Sequence, residues 1–316
     1  MLIKRFRAIQ LFVLVVAFAA AGVAQNQPGS AGGFKPVMWE RVQISKRDLF
    51  AGPGGANMKP DLSRIELIKE EKGGHNKKYR IKDGSGRIWV AKLGREAKPE
   101  TAAVRLMWGL GYKTEINYLV PTITIPEKGT FQNVRLEARP DNVERLDEWE
   151  WEDNPFVGTR ELQGLKMMMV FMSNWDVLDL QNQILEVGGE HHYIVSDLGS
   201  TFGKLGNNNL PIFYRLGRKV GSPKHFANTK FVKEVDDEEL KVAYKGKNRK
   251  LFKGFTVGQG RWLLGLLNQL SDKQISDAFR AGGYSRADVS TYVNTVKRKI
   301  RELDDAVGGQ YAGNYR

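Results

Sequence analysis

The apolar residues of this chain recur mainly at every second position in the first half and mainly at helical spacing in the second, with one predicted helix between the strands of the first half. Residues 63–94 alternate apolar and polar side chains, and the turn signals KGGHN and DGSG divide them into three predicted strands. Residues 115–139 predict two further strands. After residue 159 a helical pattern begins, formed by Leu162, Leu165, Met169 and Met172. Strands followed by helices favour an α+β fold with an antiparallel-sheet N-terminal lobe and a mainly helical C-terminal lobe.

The first 60 residues carry two different signals. Residues 1–24 contain three basic residues, then an apolar run and small residues near position 24, which is typical of a secretory signal peptide. An uncleaved membrane anchor is the alternative, although the apolar run is short for a span, and no later segment approaches one. Residues 25–60 are rich in Gly, Pro, Asn and Ser and predict a flexible leader. An exported protein, periplasmic or extracellular, is expected.

Charge and cysteine content limit the function further. The chain contains no Cys, so neither a disulfide framework nor a lipid-modified cysteine is possible. Its net charge is +13, and removing the three basic residues of the signal leaves 13 − 3 = +10. An excess of this kind favours an anionic partner such as a lipid surface, an envelope polymer or a phosphorylated ligand, and it also fits a solvated basic surface. Residues 204–253 are especially basic, and export argues against nucleic acid.

Several candidate functional residues follow one another in a suggestive order. Gly73 and Gly74 lie in the first strand turn, Lys92 ends the third strand, and Glu100 opens the next helix. Residues 172–204 contain two short apolar runs. Three polar candidates stand at the start of this stretch, Asp176, Asp179 and Asn182, and an Asp-Leu-Gly triplet that begins at Asp197 follows the second run. Phosphoryl transfer uses such groups, an ammonium at the phosphates, a carboxylate near the acceptor hydroxyl, and a carboxamide with a second carboxylate for Mg²⁺.

In this order the residues resemble the protein-kinase-like superfamily, in particular its atypical bacterial branch of HipA-type toxin kinases, CotH spore-coat kinases and phosphoinositide-kinase-like enzymes. The resemblance implies a two-lobed fold, with an N-lobe at 61–154 that ends in an acidic insertion and a C-lobe at 155–316. It implies ATP with Mg²⁺ or Mn²⁺ and a hydroxyl acceptor that is a protein, a lipid or a sugar. The implied roles are phosphate binding by Lys92, Gly73 and Gly74, an ion pair from Glu100, catalysis by Asp176, and metal binding by Asn182 and Asp197.

Two assignments stay open at this point. The asparagine of the family usually lies five positions after the catalytic aspartate, whereas five positions after Asp176 is Gln181 and six is Asn182. Asp179 is a second candidate for the acceptor-facing carboxylate. The sequence also leaves open transfer of AMP instead of phosphate, and an inactive kinase-like scaffold that only binds its ligand.

Other sites are disfavoured. His191 and His192 lack further ligands at zinc spacing, because the chain has four His and no Cys. Residues 141–153 hold seven carboxylates without a recognisable ligand spacing, which favours a solvated acidic face. No GxSxG, HExxH or Rossmann motif supports a hydrolase or dehydrogenase.

Overall fold

The computed structural model describes residues 33–72, 76–205 and 218–308. The predicted signal peptide and the pair Gly73 and Gly74 lie outside the described residues. The strands in chain order are β1 (Lys35–Val37), β2 (Glu66–Glu71), β3 (Lys78–Lys82), β4 (Ile88–Lys92), β5 (Asn117–Ile125), β6 (Gly129–Ala138), β7 (Val143–Arg145), β8 (Asn182–Val187), β9 (Glu190–Val195), β10 (Lys204–Leu205), β11 (Arg218–Lys219), β12 (Val232–Asp236) and β13 (Glu239–Val242). The α-helices are α1 (Ala97–Gly109), α2 (Arg160–Phe171), α3 (Pro223–Phe226), α4 (Val257–Leu267), α5 (Asp272–Ala281) and α6 (Arg286–Gly308).

The N-terminal lobe is a five-stranded antiparallel sheet in the order β2-β3-β4-β6-β5, with α1 inserted between β4 and β5. Strand alternation gives this sheet two different faces. One face is apolar and forms its own core cluster around Trp89, Ile81, Val134 and Leu136. The opposite face, which meets α1, carries charged side chains that include Lys92 and Arg135. The functional site is built on this charged face.

The C-terminal lobe is mainly helical, and its helices have strong start signals. Thr256 with Gln259 and Ser271 with Gln274 form reciprocal capping boxes that begin α4 and α5. A four-stranded sheet in the order β1-β9-β8-β7 joins this lobe, with β1 parallel to β9. The predicted α+β, two-lobed architecture is therefore confirmed. Within the described ranges, no helix is both long enough and apolar enough to span a bilayer.

Residues 33–60 differ from the flexible leader predicted for residues 25–60. Met38, Ile44 and Leu49 are buried in the main core, and β1 adds a strand to the sheet of the helical lobe. Gln274 on α5 donates hydrogen bonds to the carbonyl oxygens of Ile44 and Arg47, at 2.6 and 3.0 Å. The Gly and Pro residues of this segment punctuate turns between buried apolar anchors, so a composition typical of linkers here belongs to ordered structure.

The N-terminal segment also contacts the end of α1. Trp39 Nε1 donates to the Leu110 carbonyl oxygen at 2.8 Å. Gly111 follows in the left-handed region at φ +100°, and a Cβ there would lie 2.8 Å from Trp39 Nε1. Glycine is required at this helix end both by the backbone conformation and by the indole packed against it. Contacts from the N-terminal segment, which is not part of the five-stranded sheet, therefore help to hold α1 and its Glu100 in position.

Candidate active site

Lys92 and Glu100 form a buried ion pair at the junction of the sheet and α1. Lys92 ends β4, Glu100 lies in the first turn of α1, and Lys92 Nζ is 3.1 Å from Glu100 Oε2. The two side chains are 6% and 0% exposed. A buried charge is tolerated only when it is paired and hydrogen-bonded, so the two residues hold each other in place.

Asp197 joins this pair from the C-terminal lobe. Its Oδ1 lies 3.3 Å from Lys92 Nζ and accepts the Gly199 N–H at 3.2 Å. A Cβ at Gly199 would lie 2.6 Å from Glu96 Cβ, so the triplet needs glycine at its third position. The Asp197 side chain is 38% exposed, so part of the carboxylate is open to solvent or to a ligand. The structure thus brings Lys92, Glu100 and Asp197 together.

Two further charged residues of the site were missed by the sequence reasoning. Arg135 on β6 lies directly opposite Lys92 in the sheet, and its Nε is 3.1 Å from Glu100 Oε2. Its Nη1 contacts Glu137 Oε2 at 2.5 Å. A signal was present, because charged residues alternate with Val134, Leu136 and Ala138 in a strand whose apolar set is buried. Successive side chains of a strand point to opposite faces, so this alternation places Arg135 and Glu137 together on the face opposite the apolar core.

The electrostatics of this cluster follow from burial and pairing. Burial raises the pKa of Glu100 to about 7, although Arg135 and Lys92 oppose the shift. Burial also lowers the pKa of Lys92, but the carboxylates of Glu100 and Asp197 outweigh it and leave that pKa raised. For Asp197, desolvation is outweighed by Lys92 and the Gly199 N–H, so its pKa is lowered. Lys92 and Asp197 are therefore charged at neutral pH, while Glu100 titrates near it.

Asp176 occupies a separate part of the site, on the loop after α2. Its backbone N–H donates to Asn174 Oδ1 at 3.0 Å, which shapes the loop. Its Oδ1 lies 2.5 Å from Lys247 Nζ, a residue that the sequence reasoning did not single out. Asp179, the competing carboxylate, accepts the Trp151 N–H through Oδ1 at 2.9 Å. Asp179 therefore anchors the acidic segment, and each of the two carboxylates has one oxygen engaged, so both stay candidates for the acceptor-facing group.

Asn182 and Gln181 take different positions relative to Asp197. The Asn182 side chain is buried, and its Nδ2 donates to the Trp149 carbonyl oxygen at 2.7 Å. The Gln181 carbonyl oxygen accepts the N–H groups of Ser196 and Asp197, at 2.8 and 3.3 Å. Asn182 shares its strand face with residues that pack onto the core of the helical lobe, namely Ile184, Tyr193 and Val195. The choice between Gln181 and Asn182 stays open, because Asn182 Oδ1 is buried without a hydrogen-bond partner among the described residues and is thus free to accept a ligand.

The donor set around Asp197 could hold a divalent cation only together with oxygens from a ligand. Among the described residues no group of three or more His, Cys, Asp or Glu could hold a metal alone. Mg²⁺ is usually bound by one or two carboxylates together with substrate phosphates, and the exposed part of Asp197 offers such a carboxylate. The disfavoured histidines have structural partners, since His191 stacks on Phe34 and His192 contacts Glu190 at 2.9 Å.

Comparisons with known proteins support the fold. No family model matches the sequence, and no curated protein matches it either. Among solved structures, the crystal structure of the Helicobacter pylori proinflammatory kinase CtkA is similar, with a TM-score of 0.50 and 11% sequence identity. The match covers 81% of this chain and 99% of that chain. The chain therefore has a protein-kinase-like fold, while the HipA and CotH branch expected from the sequence stays a prediction.

Proposed function

We propose that this protein is a Mg²⁺-dependent phosphotransferase that moves the γ-phosphoryl group of ATP to a hydroxyl group. The observation that carries the proposal is the position of Lys92, whose buried ammonium is held by Glu100 from α1 and by Asp197 from the other lobe. An ammonium fixed in this way at the lobe junction is suited to nucleotide phosphates. The similarity to a kinase structure supports the same reaction class.

Each residue has a separate task in the proposed reaction. Lys92 binds phosphate oxygens, and Glu100 holds the ammonium in position. When bound, Mg²⁺ supplies positive charge at the phosphates, with Asp197 and a carboxamide, Gln181 or Asn182, as its protein ligands. The bond between the γ-phosphorus and the oxygen that bridges it to ADP breaks, and a bond from the acceptor oxygen forms. The acceptor proton passes to the Asp176 carboxylate and then to water.

The proposed location and acceptor rest on the sequence. Residues 1–24 favour export, so we place the acceptor in the cell envelope or outside the cell. The net charge of +13 favours an acceptor that is anionic or lies at an anionic surface.

The test compares the parent with Lys92→Met, Asp197→Ala and a control, Lys82→Met. Lys82 lies on β3 in an exposed ion pair with Glu66, so its loss should leave the site intact. ATP with Mg²⁺ should raise the melting temperature of the parent and of the control, because a ligand bound only by the folded state stabilises it. Lys92→Met should reduce this shift. Label on the γ-phosphate should reach the protein or water in the parent and should stay on ATP in Asp197→Ala.

Three other results would contradict the proposal in different ways. Absence of any thermal shift with millimolar ATP and Mg²⁺ would indicate a scaffold with a kinase-like fold. Binding without turnover would indicate an inactive kinase. Transfer of label from the α-phosphate would indicate that AMP is moved instead of phosphate.

A further inference from the structure

A basic loop after β13 lies directly against the candidate catalytic aspartate. This loop, residues 243–253, carries five cationic side chains: Lys245, Lys247, Arg249, Lys250 and Lys253. The Lys247 N–H donates to the Trp175 carbonyl oxygen at 2.8 Å, and Lys247 Nζ lies 2.5 Å from Asp176 Oδ1. Lys247 is therefore attached to the catalytic loop by its backbone and by its side chain. None of the roles proposed above uses this residue.

The residues next to Lys247 in the loop hold it close to the catalytic loop. A Cβ at Gly246 would lie 2.7 Å from the Trp175 carbonyl oxygen and would also collide with the Tyr244 hydroxyl. The ring of Tyr244 packs on Phe252 with centroids 3.8 Å apart, and Phe252 is buried in the main core. Asn248 adopts the left-handed conformation at φ +54°, which Asn tolerates better than most residues. The loop thus closes on itself and holds Lys247 against Asp176.

We propose that Lys247 is a positioning residue for the transfer step, and this rests on the function proposed above. Lys247 forms an ion pair with Asp176, as Lys92 does with Asp197. One of the two lysines lies in each lobe. Holding Oδ1 of Asp176 leaves Oδ2 of the same carboxylate for the proton of the acceptor hydroxyl.

The ammonium of Lys247 beside Asp176 would also reduce a charge repulsion in the proposed reaction. In the proposed reaction an ionised Asp176 must approach a phosphoryl group that is itself negative. An adjacent ammonium offsets this repulsion without any rearrangement during the reaction. The Lys247 side chain is 34% exposed and that of Asp176 is 20% exposed, so both groups remain open to a ligand.

Loss of the Lys247 side chain should slow transfer without changing nucleotide binding or folding. A partly exposed ion pair contributes little to stability, so Lys247→Met should fold. Misplacing a catalytic group can cost about 100-fold in rate, so we expect turnover to fall by about 10- to 100-fold. Nucleotide affinity should not change, since Lys92 and Asp197 carry that task.

The experiment measures ATP turnover with water and the protein's own hydroxyl groups as acceptors, and nucleotide affinity from fluorescent ATP titrations with Mg²⁺. The variants are Lys247→Met, Lys247→Arg, Asp176→Asn and the double variant Lys247→Met with Asp176→Asn. Lys250→Met is the matched control, because it removes a cation of the same loop whose partner is the exposed Glu152. We expect Lys247→Arg to restore part of the turnover, Lys250→Met to match the parent, and the double variant to be no slower than Asp176→Asn.

Other outcomes would overturn the inference. Turnover of Lys247→Met at or above the parental rate would show that the contact is dispensable or inhibitory. An equal loss of nucleotide affinity and turnover would make Lys247 a nucleotide ligand. A parent that binds ATP but never turns it over would remove the proposed function and this inference with it. A parent that is active while only the Lys247 results fail would leave the proposed function intact.

Discussion

Replacing Glu100 with Gln tests the electrostatics of the site most directly. Glu100 is fully buried between Lys92 and Arg135, and its pKa rises from 4.5 to about 7, chiefly through burial. This change corresponds to about 3 kcal/mol between the two protonation states. Because the folded-state pKa is raised, the stabilising contribution is fully present below pH 4.5 and is lost as the pH rises to about 7.

The assay is urea unfolding of the parent and of Glu100→Gln at intervals between pH 4.5 and pH 8. The free energy of unfolding of the parent, taken relative to that of the variant, should fall by about 3 kcal/mol across this range. Glu70→Gln serves as the control, because it makes the same substitution at a carboxylate in an exposed ion pair with Lys128. An unchanged difference between parent and Glu100→Gln across the range would refute the reasoning.

The titration of Glu100 should also change the rate of ATP turnover. Below pH 7 Glu100 becomes neutral and no longer holds Lys92 by charge, so ATP turnover by the parent should decline. Glu100→Gln should show a lower maximum and no such decline through this range. A decline of equal size in both proteins would assign it to another group.

Two further predictions concern the helical lobe and the metal ligand. Lys299 is fully buried with Nζ donating to the Phe171 carbonyl oxygen at 2.7 Å, and burial lowers its pKa well below the ordinary value. The unfolded chain therefore binds more protons, so the free energy of unfolding of the parent should rise from pH 7 to pH 10. That of Lys299→Met should not rise, and urea unfolding measures both. An equal dependence on pH in the two proteins would contradict this. Asn182→Ala should lose about 1 to 3 kcal/mol of stability, because the Trp149 carbonyl oxygen loses its donor. Gln181→Ala should instead raise the Mn²⁺ concentration needed for half-maximal turnover at nearly parental stability, and the reverse pattern would restore Asn182 as the metal ligand.

The sequence predicted the part of the site that lies on regular elements. Lys92 and Glu100 could be placed because a strand and the helix after it have recognisable periods, and Asp197 could be placed because it ends a short hairpin. The order of strands before helices predicted the two lobes for the same reason. These features are local, so one window of sequence contains the whole signal.

The parts that were not predicted depend on contacts between distant segments. Lys247 lies 71 positions after Asp176, and its chain neighbours read only as a basic irregular stretch. Residues 33–60 have the composition of a linker, yet their apolar residues are buried in the main core, and Gln274 binds the Ile44 carbonyl oxygen from 230 residues away in the chain. The environments of Gln181 and Asn182 depend on strand register, which spacing alone could not predict.

The charges of the site also explain why a metal is expected to accompany the nucleotide. Lys92 Nζ has carboxylate oxygens of Glu96, Glu100 and Asp197 at 3.9, 3.1 and 3.3 Å. Its single positive charge is thus already shared, and Arg135 is engaged by Glu100 and Glu137. A triphosphate would meet little uncompensated positive charge here and would face Asp197 directly. A divalent cation held at Asp197 would reverse the sign at that point and would leave Lys92 available to the phosphates, so the proposed function calls for the metal complex of ATP and not for free ATP.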